Sequence, residues 1–82
     1  MVTIIYEDSF KRAFKKFIKS PLREKVKKQI VKIIDNPLSG KPLKYGRKGT
    51  RELYVKPFRI SYMYYESSEE LVFADIYHKD EQ

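Results

Sequence analysis

With 82 residues the chain has room for one domain and a small core, which its 15% aromatic content enlarges by supplying big buried side chains. It has no cysteine, which excludes disulfide staples and thiolate metal sites and fits a reducing cytosol. The net charge of +7 is unevenly spread: residues 9–59 hold 17 of the 18 Lys and Arg against three acids, whereas residues 60–82 hold six acids against Lys79. Such an asymmetric basic chain points to a polyanionic partner, nucleic acid above all; a merely solvated lysine-rich helix face is the simpler reading of the helical lysines alone.

The first segment, residues 2–7, is β-branched and aromatic and predicts a strand. It lacks the basic start and cleavage site of a signal peptide, and no apolar run has membrane-spanning length, so a cytoplasmic, membrane-free protein is expected. Asp8 or Ser9 is placed to cap a helix, whose apolar stripe is Phe10, Ala13, Phe14, Phe17 and Ile18. Ser20 as N-cap and Pro21 at the first helical position open a second helix with the stripe Leu22, Val26, Ile30, Ile33 and Ile34. The Asp35-Asn36-Pro37 sequence ends it, because the residue before proline is pushed out of the α region. The two helices form an αα-hairpin.

Residues 37–50 carry Pro37, Gly40, Pro42, Gly46 and Gly49 and read as a basic loop with Lys41, Lys44, Arg47 and Lys48. Three strands follow, at 51–55, 58–65 and 71–78. In the first, Leu53 and Val55 share one face, Glu52 and Tyr54 the other; in the second, Phe58, Ile60, Tyr62 and Tyr64 oppose Arg59, Ser61, Met63 and Tyr65. The expected fold is α+β in the order β-α-α-β-β-β, with the αα-hairpin on one face of a mostly antiparallel four-stranded sheet. Phe14, Phe17, Val26, Ile30, Ile33, Ile60 and Tyr62 are the expected core.

Arg59 then stands mid-sheet on the open face, where a guanidinium needs an anion. That anion is a ligand phosphate or, in the plainer reading, Glu52 or Asp75 on a neighbouring strand. Arg51, Lys48 and Arg47 can border the same surface, and Tyr45 can stack on a base. His78 is the only histidine, and with no cysteine and no carboxylate pair at ligand spacing, no metal site or cofactor is expected. The Gly46–Gly49 stretch lacks the strand–loop–helix setting of a phosphate-binding loop.

Taken together, REKVKKQIVKIIDNP, the basic loop, RELYV, FRISYMYY and VFADIYHKDE resemble the RelE/ParE superfamily of small toxins from toxin–antitoxin pairs, over about residues 2–81. The resemblance implies a toxin covered by a cognate antitoxin protein. Its RelE-like branch implies an endoribonuclease that cleaves mRNA in the ribosomal A site. The ParE-like branch implies a protein that blocks DNA gyrase, and a toxin fold that has lost its activity is a third possibility.

In this resemblance Phe58-Arg59-Ile60-Ser61-Tyr62 matches the line whose arginine contacts the scissile phosphate, and His78-Lys79 matches the basic cluster after the last strand. The chain departs at Glu52 and Tyr54, which fall where the nuclease branch carries two lysines, and at Asp80, which replaces a base. A metal-independent cleavage would use the 2′-OH as nucleophile on the adjacent phosphate. Arg59 would stabilise the phosphate charge, His78 would act as base or acid, and Tyr54 would orient substrate or relay a proton. Lys44, Arg47, Lys48, Arg51 and Lys79 would bind the RNA backbone.

Overall fold

The computed structural model describes residues 2–16, 20–42 and 49–78. Two helices, α1 (Asp8–Lys15) and α2 (Leu22–Asp35), cover one face of a sheet built from β1 (Thr3–Tyr6), β2 (Lys41–Pro42), β3 (Thr50–Val55), β4 (Phe58–Tyr65) and β5 (Glu70–His78). The strand order is β1-β5-β4-β3-β2, with β1 parallel to β5 and every other pairing antiparallel. The expected α+β architecture is therefore present with five strands rather than four. The extra one is β2, two residues of the segment read as loop, which pair Lys41 with Glu52 and Pro42 with Arg51. A proline there costs no ladder bond because β2 is the sheet edge.

Local chemistry explains the helix boundaries. Ser20 Oγ accepts from Leu22 N at 3.1 Å, two residues on, which is the N-cap contact expected of it, with Pro21 already in αR geometry. At α1 the expectation fails. The helix begins at Asp8 after Glu7, no side chain caps it, and Ser9 donates instead to the carbonyl of Ala74. That carbonyl is available because β5 carries a bulge: Ser61 pairs with Asp75 and Tyr62 with Phe73, leaving Ala74 unmatched.

The core lies between the helices and the sheet. Val26, Ile30, Ile33, Ile60 and Tyr62 are buried as expected, together with Phe10, Ala13, Val55, Leu71, Phe73 and Ile76. Phe14 is only partly buried at the margin of this cluster, and Phe17 lies outside the described residues. Helix α1 packs on β5 and α2 on β3. Tyr6, Phe10 and Phe73 form an aromatic knot, with ring centroids 5.3–5.7 Å apart.

Tyr62 reaches through the core to hold the segment after α2. Its hydroxyl donates to Pro37 O and accepts from Gly40 N, both at 2.8 Å. Gly40 has no substitute there, since a Cβ would overlap the Tyr62 hydroxyl.

Candidate functional site

Strand alternation decides which side chains share the open face. Residues directly opposite in an antiparallel pair project to the same side. Arg59 pairs with Tyr54 on β3 and Tyr77 on β5, while Ser61 pairs with Glu52 and Asp75. These residues form one row of side chains on the face away from the helices, continued by Met63, Tyr65 and Val72.

At the centre of the row the Arg59 guanidinium lies 5.9 Å from the centroid of the Tyr54 ring, a cation–π distance. Its Nη1 donates to Glu52 Oε1 at 3.3 Å. Of the two carboxylates named for Arg59 in the plainer ion-pair reading, the structure thus selects Glu52. Asp75 instead accepts from the backbone N–H of Ile76 at 2.8 Å. Arg59 remains 35% exposed, whereas Glu52 is only 8% exposed. The pair lies in an open cleft of about 630 Å³, lined also by Ser39, Lys41, Pro42, Leu53 and Tyr54.

The remaining expected site residues fall elsewhere. Arg51 pairs with Tyr62 and so projects to the helix side, where its Nη1 donates to Gly40 O at 2.8 Å and Leu38 O at 3.3 Å. It holds the 37–40 segment rather than bordering the Arg59 surface. His78 pairs with Phe58 and packs edge-on against that ring, at 5.4 Å and 82°. It stands one position from Tyr77, the cross-strand neighbour of Arg59, yet on the opposite side of β5. Lys44, Arg47, Lys48 and Lys79, together with Tyr45, lie outside the described residues.

The bulge is the reason for the His78 placement. Leu71 and Phe73 are buried, and strict alternation from them would send Asp75 and Tyr77 inward and His78 outward. Ala74 shifts the phase, so Ile76 is buried and His78 follows it to the helix side. The apolar positions 71, 73 and 76 in the sequence carry that signal, as a break in the period of two. Lys41 and Ser39, by contrast, enter the cleft only because β2 folds back on β3, which composition did not indicate.

On the helix side, a second apolar groove of about 580 Å³ runs between α1 and α2. Tyr6, Phe10, Phe14, Ile30, Val31 and Ile34 line it, and Lys11, Lys15 and Lys27 rim it. Among the described residues no group of three or more His, Cys, Asp or Glu gathers as a metal site, and no helix is long and apolar enough to cross a membrane.

Residues 4–82 match the family model for the ParE toxin of type II toxin–antitoxin systems. The chain belongs to this family. It is the toxin component of a toxin–antitoxin system. Solved toxins share its fold. The isolated E. coli RelE toxin superposes with a TM-score of 0.78 at 14% identity, over 95% of this chain and 84% of that one. YafQ from E. coli gives 0.82 at 20% identity, over 99% and 97%. The toxin–antitoxin complex RelBE2 from Mycobacterium tuberculosis gives 0.78 at 22%, over 95% and 98%. No curated protein matches this toxin in sequence.

Proposed function

We propose that this toxin is a ribosome-dependent mRNA endoribonuclease of the cytoplasm, acting in the A site without a metal. The observation that carries the reading is Arg59: a partly exposed guanidinium, mid-sheet, 5.9 Å over the Tyr54 ring and lining a cleft with Lys41. An arginine has five donors in a fixed fork, and Glu52 takes one of them among the described contacts, so the fork retains donors for phosphate oxygens.

In this proposal the 2′-OH gives its proton to a base as its oxygen attacks the adjacent phosphorus, a 2′,3′-cyclic phosphate forms as the P–O5′ bond breaks, and the 5′-oxygen leaves with a proton from an acid. Arg59 offsets the charge that builds on the non-bridging oxygens. Tyr54 orients the strand by its exposed ring. His78, the only histidine, supplies proton transfer, the task for which general acid–base catalysis uses histidine most often. That role requires its ring to leave the Phe58 edge contact when substrate binds, since hydrogen bonds of a catalytic group often form only in the bound complex. Lys44, Arg47, Lys48 and Lys79 serve the RNA backbone by charge. The ribosome presents the message, and orientation of that kind can supply about 7–11 kcal/mol of a barrier.

The partner proposed for the helix side is a cognate antitoxin. Its apolar groove with three rim lysines suits an amphipathic acidic segment. The E. coli RelBE and DinJ–YafQ structures, at 14% and 20% identity to this chain, are complexes of a toxin with its antitoxin.

One observation favours a second reading, a non-enzymatic inhibitor of DNA gyrase: Glu52 and Tyr54 occupy the positions where the nuclease branch has lysines, and the Glu52 carboxylate already faces Arg59. A cell-free translation reaction supplied with purified toxin tests the proposal. Cuts within codons at stalled ribosomes, reduced about 10²-fold or more in Arg59→Ala and strongly impaired in Arg59→Lys, are expected. His78→Gln should lower the rate while leaving RNA binding intact. Intact mRNA together with inhibited DNA supercoiling would overturn the nuclease reading in favour of the gyrase one.

A further inference from the structure

The cleft beside Arg59 holds a feature that phosphate binding alone does not use. Glu52 is nine-tenths buried, yet only one of its oxygens is engaged: Oε1 meets Arg59 at the long distance of 3.3 Å, and Oε2 is buried with no hydrogen-bond partner among the described residues. Ser39 Oγ, lining the same cleft, is likewise buried and without a partner. A carboxylate that holds an arginine frequently meets the planar fork with both oxygens. A buried acceptor left unmet is costly and calls for an explanation.

The explanation lies in what the carboxylate resembles from the side of Arg59. It presents one anionic oxygen to a guanidinium that otherwise opens to solvent. We infer that Glu52 is an internal counter-anion occupying one donor of the Arg59 phosphate site, displaced from that donor when a phosphodiester binds. This rests on the reading of Arg59 as a phosphate ligand and deepens it. A phosphodiester brings two non-bridging oxygens to the fork, so it can engage the Nη1 donor that Glu52 holds and another beside it. Lys41, opposite Glu52 in the β2–β3 register and lining the same cleft, is the cation to which the released carboxylate turns. Glu52 thereby lowers the affinity of the site for any phosphodiester and reserves binding for a strand held in place by further contacts.

The test is a binding titration with a fluorescent 2′-O-methyl RNA oligonucleotide, which cannot be cleaved because its nucleophile is blocked. Four full-length proteins are compared: wild type, Glu52→Gln, Arg59→Gln and the double variant. Glu52→Gln should tighten binding by about tenfold, the lower range of close charge-pair couplings. Arg59→Gln should weaken it, and the gain from Glu52→Gln should vanish in the Arg59→Gln background. Should Glu52→Gln fail to melt cooperatively, Glu52→Ala removes the same charge and carries the same expectation. A gain that persists without Arg59 is the mere loss of a negative charge and overturns the inference. So does weaker binding by Glu52→Gln, which would make Glu52 a positioning residue for Arg59. If Arg59→Gln binds as wild type does, the phosphate reading of Arg59 itself fails. If Arg59→Gln weakens binding and Glu52→Gln has no effect, only the counter-anion inference falls.

Discussion

Arg59 and Glu52 bind each other's fates unequally. The arginine is partly solvated and can lose its partner cheaply; the glutamate is buried and cannot. Arg59→Ala should therefore destabilise the fold as well as impair function, by about 1–2 kcal/mol, below the 3–5 kcal/mol of a fully buried pair because solvent reaches the guanidinium. Adding Glu52→Gln should return most of that loss, which thermal melts of the two variants will measure. Tyr62 makes a different demand. Its hydroxyl satisfies the Gly40 N–H and the Pro37 carbonyl inside the core, so Tyr62→Phe should cost about 1–3 kcal/mol and speed amide exchange at Gly40. Exchange unchanged at that amide would show that the hydroxyl does not hold the segment.

At the level of elements, α2 and β5 set the architecture. Ile30 lies on the stripe that α2 buries against the sheet, and Ile30→Ala should cost about 2–5 kcal/mol in denaturant unfolding. Strand β5 carries a bulge that α1 uses. Ser9 on α1 takes the carbonyl that Ala74 leaves outside the ladder, and thereby ties the helix to the irregularity. Ser9→Ala should cost about 1 kcal/mol, the net worth of one such bond, with the loss seen in equilibrium melts. Deletion of Ala74 should leave the faces of β5 unchanged. It removes the extra residue, so Asp75 still follows Phe73 outward and Ile76 still turns inward; the variant should fold cooperatively, weakened by the loss of the Ser9 contact, and a variant that no longer melts cooperatively would contradict the bulge as the source of the phase shift.

For the whole molecule, charge is the governing quantity. Engagement of three or four phosphates by the basic half should give a log–log salt slope of about −2 to −3 for single-stranded RNA, measured by anisotropy between low and physiological salt. A flat salt response would remove the polyanion from the account. The element order apart from β2, the stripe of α2, the described part of the α1 stripe and the faces of β3 and β4 were legible in the sequence, because each is a local period written in residue types: 3.6 for helices, 2 for strands. That is why Val26, Ile33, Ile60 and Tyr62 are buried where the pattern put them, and why Arg59 faces outward. The site was only half legible. Arg51 and His78 read as basic groups near a basic surface, but a side chain's face depends on its register with a strand distant in sequence. Pairing with Tyr62 turned Arg51 toward the helix side, and one unmatched residue at Ala74 turned His78 to the side opposite Arg59. Likewise the choice of Glu52 over Asp75 as the partner of Arg59, and the entry of Lys41 beside them, came from which strands lie adjacent and how far they slide. Alternation is fixed by neighbouring residues along the chain; register is fixed by the best packing between strands, and only the folded sheet chooses it.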